Sequence, residues 1–532
     1  MSDIKGPPPA TSADDAHLRV LGYEEQFDRK INLWSNFALG FLYLSPLVGV
    51  IALFAQGLST GGPPSIWWIA IVAAGQLLVA LVFGEIVSQF PISGGLYQWA
   101  RRLWNGRYAW GLTWIYIAGV IIGITTTAMF SADFVAALIF GSASDPGASS
   151  TPGERLIIAL VVVAIALALN ATGSKTLATI AKIGLAAELA GVIAVGLFLL
   201  LFRRQNSVSV LFDTMGTGHG SGYPTAFLAA SLTGLLLFYG FEACGEVAEE
   251  TPNPGRTIPR SMALTVVVGG ASAFLAYAGY ILAAPNLPEI VTGKATNPVP
   301  EILQNSLGTV GTKAFLVVAL TSFLACVMGQ QAAASRLIFS FARDGMFPGS
   351  TLFSRVTRWA KVPLTSLLAV NVIPIGLFVF LYFVPDALFR VAAFQMLAGY
   401  VAFQMVVLAS IRARARGWIP AGRWSLGRWG WPVSVAAITY GIFSIVLLAK
   451  PAADTQLAFY DRWVALIGFL IVAAVGVCYM WFAKPYRHSA APEGDAIEIA
   501  NRLRELRTTA AREHPSTDDD QYDIEIERTL NA

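Results

Sequence analysis

Twelve separate stretches of this chain are each about as long and as apolar as a bilayer is thick, and no single motif constrains the fold as much. A hydrocarbon core is crossed by about 20 predominantly apolar residues in helical form. Runs of that kind lie near residues 31–57, 66–90, 111–141, 155–172, 177–202, 224–249, 260–285, 311–340, 362–384, 387–410, 430–449 and 460–482. The connectors are short, polar and rich in glycine and proline, as helix breaks are. The break between the ninth and tenth runs is marked only by Pro385 and Asp386. Composition agrees: 55% of the 532 residues are hydrophobic, 13% are charged, and the mean hydropathy is +0.60. A soluble domain carries roughly 25% charged residues, and so few charges cannot cover a water-soluble fold of this size. The expected class is an all-α integral membrane protein with twelve transmembrane helices and the lipid bilayer as its solvent.

Several other classes are excluded. The net charge of +3 is small and no basic block resembles a phosphate-binding face, so no nucleic acid partner is expected. Cys244, Cys326 and Cys478 fall inside apolar runs, which argues against a disulfide framework. His17, His219, His488 and His514 lie in tails or a connector without ligand spacing, so no metal site is expected. There is no nucleophile elbow, phosphate loop or dinucleotide fingerprint; we expect no cofactor and no enzymatic activity. Residues 1–30 are polar and mixed in charge. The first apolar run exceeds a signal-peptide core of about 7–15 residues, so the chain is expected to enter the membrane through its own first helix.

Loop charge sets orientation. Alternate connectors carry the positive residues: Arg101, Arg102 and Arg107; Lys175; Arg256 and Arg260; Arg343, Arg355, Arg358 and Lys361; Arg412, Arg414, Arg416, Arg423 and Arg428. Arg29 and Lys30 add to the N-terminal tail (1–30), and Lys484 and Arg487 to the C-terminal tail (484–532). Arg203 and Arg204 are the exception on the opposite side. Both termini are therefore expected in the cytoplasm. The C-terminal tail reads as solvated, with a short helix over Ala496 to Arg512 and a disordered stretch around Asp518, Asp519 and Asp520.

Two runs are interrupted. In the first, Ser45-Pro46-Leu47-Val48-Gly49 puts a proline and a glycine three residues apart at mid-membrane. Proline removes a backbone donor and glycine tolerates unwound geometry. Such backbone survives in a bilayer only where protein or a water-lined cavity satisfies it; a plain proline kink is the alternative. In the sixth, Phe238-Tyr239-Gly240-Phe241-Glu242-Ala243-Cys244-Gly245-Glu246 holds two glycines and a carboxylate. An ionisable group at that depth costs roughly 2.5–3.5 kcal/mol on insertion scales and faces the bundle interior. Breaks five helices apart fit two five-helix halves forming an inverted repeat around a central site.

Four stretches carry a resemblance. Glu85 to Ala100 (EIVSQFPISGGLYQWA) looks like the end of the second helix in the amino acid–polyamine–organocation superfamily. Glu249-Glu250-Thr251-Pro252-Asn253-Pro254 through Ile258-Pro259-Arg260 is similar to its motif after the sixth helix. Ser335-Arg336-Leu337-Ile338, with Ala342-Arg343-Asp344-Gly345 and Pro348, resembles the motif ending its eighth. Ser425-Leu426-Gly427-Arg428-Trp429-Gly430 looks like the amino acid/choline transporter branch. All four occur in the superfamily's order and spacing across about residues 20–485.

The resemblance implies a leucine-transporter-type core of five plus five inverted-repeat helices (residues 31–202 and 224–410), two extra helices (430–482), and alternating access around a central site. Members hold a substrate carboxylate on a Gly-Ser/Thr-Gly-Ile break in the first helix; here the positions read Leu47-Val48-Gly49-Val50, keeping only the second glycine. The expected substrate-binding residues are Pro46, Val48, Gly49, Val50, Leu237, Phe238, Phe241 and Glu242. Glu242 occupies the place of an acidic residue in cationic amino acid carriers, suited to a substrate ammonium; a structural carboxylate bonded to the first helix is the bland alternative. Glu188 falls where some proton-coupled relatives have a lysine standing in for sodium, and is the coupling candidate; an interhelical hydrogen bond is the alternative. Asp133 either acts or simply reaches interfacial water. Glu85 and Arg336 are assigned to the inner gate or the fold. Ala325 and Cys326, at the corresponding sodium-site pair, are poor hard-oxygen ligands, which favours protons over sodium. The expectation is a plasma-membrane, multi-pass secondary carrier of an amino acid or small amine. Choline, ethanolamine, polyamines and 4-aminobutyrate are rival substrates, and a non-transporting receptor on a carrier scaffold is the rival class.

Overall fold

A computed structural model of the chain describes residues 13–24, 26–27, 29–218, 222–295, 297–450 and 459–513. His219, His514 and Asp518 to Asp520 lie outside the described residues. The described residues form helices and connectors without strands. A short helix α1 (Ala13–Val20) precedes the bundle. The first apolar run forms two helices, α2 (Leu33–Leu44) and α3 (Pro46–Gly61). α4 (Trp67–Gln89) leads through the short α5 (Gly95–Leu103) to α6 (Gly106–Phe140) and α7 (Pro152–Ala171). The fifth run is α8 (Ser174–Leu189), a π turn over Ala190–Ala194, and α9 (Val195–Phe202).

The sixth run contains only pieces: α10 (Tyr223–Ala229), α11 (Leu232–Leu235) and α12 (Ala243–Glu246). α13 (Pro254–Ala283) and α14 (Leu287–Val291) precede α15 (Pro298–Arg343), which starts well before the expected 311 because Gly308, at φ 71°, joins a short leading helix to the main one. α16 (Ser350–Phe353), α17 (Leu364–Ala369) and α18 (Val372–Phe383) precede α19 (Leu388–Ala415). Pro385–Ala387 do separate α18 from α19, as the sequence predicts. α20 (Gly430–Ala449), α21 (Phe459–Arg462), α22 (Val464–Ala483) and α23 (Ala496–Glu513) complete the chain.

Eleven helical spans among the described residues are long and apolar enough to cross a membrane. The twelfth expected crossing is the fragmented sixth run, whose helical hydrogen bonding fails at Tyr239 and Gly240. Position in the bundle follows burial. The first run is 94% buried over its most apolar window and the last only 6%. The outward faces of α7, α18 and α22 expose Ile157, Val161, Ile375, Val379, Leu470 and Val475. An apolar exterior around an interior holding Glu85, Glu188, Glu242 and Glu246 is the arrangement a bilayer selects.

The short helix expected over Ala496 to Arg512 is α23, and the described parts of the tails pack on the bundle. Leu18 and Leu21 are buried, as are Ala496, Ile499, Ala500 and Leu503 along one face of α23. The solvated-tail reading is therefore corrected for residues 485–503. This segment packs under the same end of the bundle as α1, because its apolar positions recur at helical spacing.

Candidate functional site

The first helix is not unwound over Pro46–Gly49, as the sequence suggested; it breaks at one residue. Ser45 takes a left-handed conformation (φ 42°, ψ 79°), ending α2 and starting α3. Pro46 is then the first residue of α3, where its missing N–H costs nothing. The Ser45 carbonyl accepts the Gly49 amide at 3.0 Å, and the Ser45 amide donates to the Phe41 carbonyl at 2.7 Å.

Flanking segments satisfy the groups this break frees. The Glu188 carboxylate of α8 accepts the Ser45 hydroxyl at 2.7 Å and the Leu47 amide at 3.1 Å. Glu188 is thus an internal cap on α3, the stabilising place for a carboxylate at a helix N-terminus. Its other oxygen is buried and has no partner. From α15, the Cys326 thiol donates to the Tyr43 carbonyl at 3.4 Å.

The sixth-run break lies against the first. Gly240 has φ 124°, and a Cβ there would lie 2.7 Å from the Leu44 amide nitrogen and the Tyr43 carbonyl carbon. Only glycine fits both that dihedral and that approach. On the next turn Leu237 fills the space in front of Gly49. The Glu242 carboxylate folds back onto its own segment, accepting the Gly240 amide at 2.9 Å, and accepts the Tyr116 hydroxyl of α6 at 2.7 Å. Tyr116 supplies a donor that local sequence around Glu242 did not reveal. The Tyr400 hydroxyl of α19 donates to the Leu235 carbonyl at 3.2 Å.

A cavity of about 30 Å³ lies between the two breaks. Val48 and Gly49 are on its wall, joined by Tyr43, Tyr239, Thr126, Thr127, Gln330 and Gln395 among the polar or aromatic lining. Pro46, Val50, Leu237, Phe238, Phe241 and Glu242 stand outside that wall. Phe241 packs instead on Phe83 and Phe403, and Phe238 against Gly270. The cavity wall carries no formal charge, but it does carry unused hydrogen-bonding capacity. The hydroxyls of Tyr43 and Tyr239 and Oε1 of Gln330 are buried without partners. Their neighbours are fixed: Thr126 donates to Gln395 Oε1 at 2.7 Å, and Gln330 Nε2 to the Thr127 hydroxyl at 3.0 Å.

A larger cavity of about 510 Å³ lies toward the end of the bundle away from α1 and α23. Gln56, Ser59, Asp133, Arg155, Asn297 and Asp386 line it, and Ala52 and Phe130 belong to the walls of both cavities. Asp133 is paired with Arg155 at 2.9 Å here.

The opposite end is sealed. Arg336 pairs with Glu250 at 2.9 Å and Arg343 with Glu249 at 3.0 Å, all four side chains being buried or nearly so. Asp344 accepts the Tyr97 hydroxyl at 2.8 Å, Gln98 Nε2 at 3.0 Å and the Tyr23 hydroxyl at 3.2 Å. Burial, and then the Asp344 charge, hold the Tyr23 hydroxyl above its ordinary range, so it stays a donor. Glu85 is bound to Arg414, Ser425 and the Leu426 amide; it does not meet Arg336.

With this geometry in view, the comparisons decide the family. A family model described as amino acid permease matches residues 31–475. The chain belongs to the amino acid permease family. It is 27% identical over 477 residues to an amino-acid permease BAT1 homolog of Oryza sativa subsp. japonica, covering 82% of this chain and 88% of that one. It is 25% identical over 479 residues to amino-acid permease BAT1 of Arabidopsis thaliana, covering 84% and 90%. It is also 25% identical over 503 residues to a putative polyamine transporter of Candida albicans, covering 89% and 88%. With its many apolar helices this chain is thus a multi-pass membrane protein of the permease family, and the relatives it matches along nearly their whole length are named as permeases and transporters. The amino acid–polyamine–organocation resemblance stands.

Proposed function

We propose that this permease is a secondary active transporter that carries an amino acid or related small amine by alternating access, driven by protons. The observation that carries the reading is the apposition of the Ser45 and Gly240 breaks around an uncharged cavity with unpartnered hydroxyl and amide groups. Backbone interrupted at this depth marks the site in carriers built from two inverted five-helix repeats, and we assign residues 31–202 and 224–410 to those repeats. The conformation then faces outward: solute enters the larger cavity, passes Phe130 and Ala52, and reaches Tyr43, Tyr239 and Gln330. Both termini and the sealed end are cytoplasmic, at the plasma membrane, in keeping with the arginine-bearing connectors.

In this reading the substrate amine binds on the cavity side of Tyr239, and Glu242, bonded behind it to Tyr116, supplies the counter-charge. Glu188 holds or yields the coupling proton at the cap of α3, since protonation of its unpartnered oxygen removes the charge at that helix N-terminus while Oε1 still accepts from Ser45 and Leu47. The names of the relatives put amino acids first and polyamines next as substrates, with 4-aminobutyrate and choline as further alternatives. Counterflow into preloaded proteoliposomes tests the reading. Trans-stimulated uptake of at least one amino acid or amine is expected. Saturable binding without exchange would make the protein a receptor instead.

A further inference from the structure

Glu246 is the buried group that the reading above leaves without a task. Its side chain is fully buried, and neither carboxyl oxygen has a hydrogen-bond partner. The carboxyl lies against the start of α5: a Cβ on Gly95 would sit 2.6 Å from its Oε1. The Leu96 amide of α5 acts on the carboxyl without reaching hydrogen-bond geometry. Trp99 of α5 packs on the adjacent Gly245, and its own indole N–H is also unpartnered. The titratable groups facing Glu246 are Glu242 from its own segment, Tyr116 from α6 and Tyr239 from the unwound stretch. Among the described residues no cation faces it. The nearby arginines, Arg336 and Arg343, are engaged with Glu250 and Glu249.

An unpaired, unsolvated carboxylate is among the costliest groups a protein can bury. The N-terminus of a helix as short as α5 offsets only a small part of that cost. The acid form is the one this environment accepts. The same helix closes the cytoplasmic end. Tyr97 and Gln98 hold Asp344 of α15, and Arg101 and Arg102 hold the C-terminal segment through Ser489, Ala491, Pro492 and Asp495. Opening toward the cytoplasm has to displace α5, and displacing α5 lets water reach Glu246.

We propose that Glu246 is a second proton-carrying residue, loaded while the cytoplasmic gate is shut and emptied when α5 moves away. In the emptying step the O–H bond of the Glu246 acid breaks and its proton passes to cytoplasmic water, leaving a carboxylate. Reloading comes from the central cavity by way of Glu242. The carboxylate cannot be reburied beside Glu242 until it is neutral, so the gate recloses only after a proton has arrived. The transport part of this inference rests on the proton-coupled reading above; the buried acid does not.

The test compares the wild type with Glu246→Gln in two measurements. In proteoliposomes the variant is expected to retain substrate counterflow and to lose at least ten-fold of the accumulation an imposed pH gradient drives. Variant accumulation equal to wild type overturns the proposal. In detergent at neutral pH, the wild-type-minus-Glu246→Gln infrared difference spectrum is expected to contain a protonated carboxylic-acid carbonyl band; a difference spectrum without that band overturns the proposal as well. Should the variant also lose counterflow, the infrared band decides alone, in the same two directions. A wild type that ignores the pH gradient refutes proton coupling and the relay, while the band still decides whether Glu246 holds a buried proton.

Discussion

The carboxylate of Glu188 accepts the hydroxyl of Ser45 at 2.7 Å, so an acidic side chain of the fifth segment caps the half-helix that begins where the first segment breaks. This joins two features that lie 143 residues apart in the chain. It explains how Ser45 keeps a left-handed backbone without glycine. Residues other than glycine hold such dihedrals only where surrounding structure enforces them. Here the Ser45 hydroxyl and the Leu47 amide both depend on one carboxylate oxygen.

Gly240→Ala tests the apposition of the two breaks. The substitution imposes a positive-φ strain of about 1–3 kcal/mol, and its Cβ collides with the Tyr43–Leu44 backbone 2.7 Å away. We expect a lower melting temperature in detergent and loss of counterflow. Gly376→Ala, on an open face of α18 where a Cβ meets nothing, is expected to leave both unchanged.

The buried pair Arg336–Glu250 is a lock whose single removals hurt more than its double removal. Deleting Glu250 leaves the buried Arg336 guanidinium without its carboxylate, at about 3–5 kcal/mol, and deleting Arg336 removes a buried ion pair from Glu250. Arg336→Ala and Glu250→Ala are each expected to destabilise strongly, and the double variant less than the sum, in a double-mutant cycle read by thermal melting. Additive losses would remove the pair from the gate.

The C-terminal segment is held by Arg101, which donates to the Pro492 carbonyl at 3.1 Å, the Ser489 hydroxyl at 2.9 Å and the Ala491 carbonyl at 2.7 Å. One charge-assisted hydrogen bond is worth roughly 1.5–3 kcal/mol. Arg101→Ala is therefore expected to speed proteolytic cleavage between residues 489 and 494 by about tenfold or more. Cleavage at the wild-type rate would mean that α23 anchors the segment unaided.

Glu242→Gln keeps the acceptor for Tyr116 but removes the charge behind Tyr239. If that charge neutralises a substrate amine, binding weakens by about 1.5–3 kcal/mol, the span for hydrogen bonds to charged groups, while thermal stability barely changes. Calorimetry or scintillation proximity reads the affinity. Wild-type affinity would leave Glu242 as a cap for the Gly240 segment and recognition to Tyr43, Tyr239 and Gln330.

Legibility in the sequence followed the range of each interaction. Hydropathy locates the crossings, because bilayer thickness acts on consecutive residues. It also locates the sixth-run disruption, where Gly240 and Glu242 interrupt an apolar stretch. The first break falls at the leading edge of the stretch the sequence marks, because Pro46 and Gly49 attract notice while the strained residue is Ser45, held by a distant Glu188. Tyr116, Gln330 and Gln395 gave no local signal: each is a single polar residue on a long apolar helix, and which way it faces depends on how the bundle closes. The docked tail was readable. Ala496, Ile499, Ala500 and Leu503 recur at the spacing of one helix face, but the surrounding charge obscured them.

The most direct test of the account is uptake into proteoliposomes with an alkaline interior, using an amino acid or amine that passes the counterflow assay, compared between wild type and Glu188→Gln. The account predicts that wild type accumulates the solute above its external concentration, indifferent to replacing sodium with potassium. It predicts that Glu188→Gln fails to accumulate, with the Ser45 break intact because glutamine still offers the acceptor oxygen. Strict sodium dependence in wild type, or undiminished pH-driven accumulation by Glu188→Gln, would contradict it.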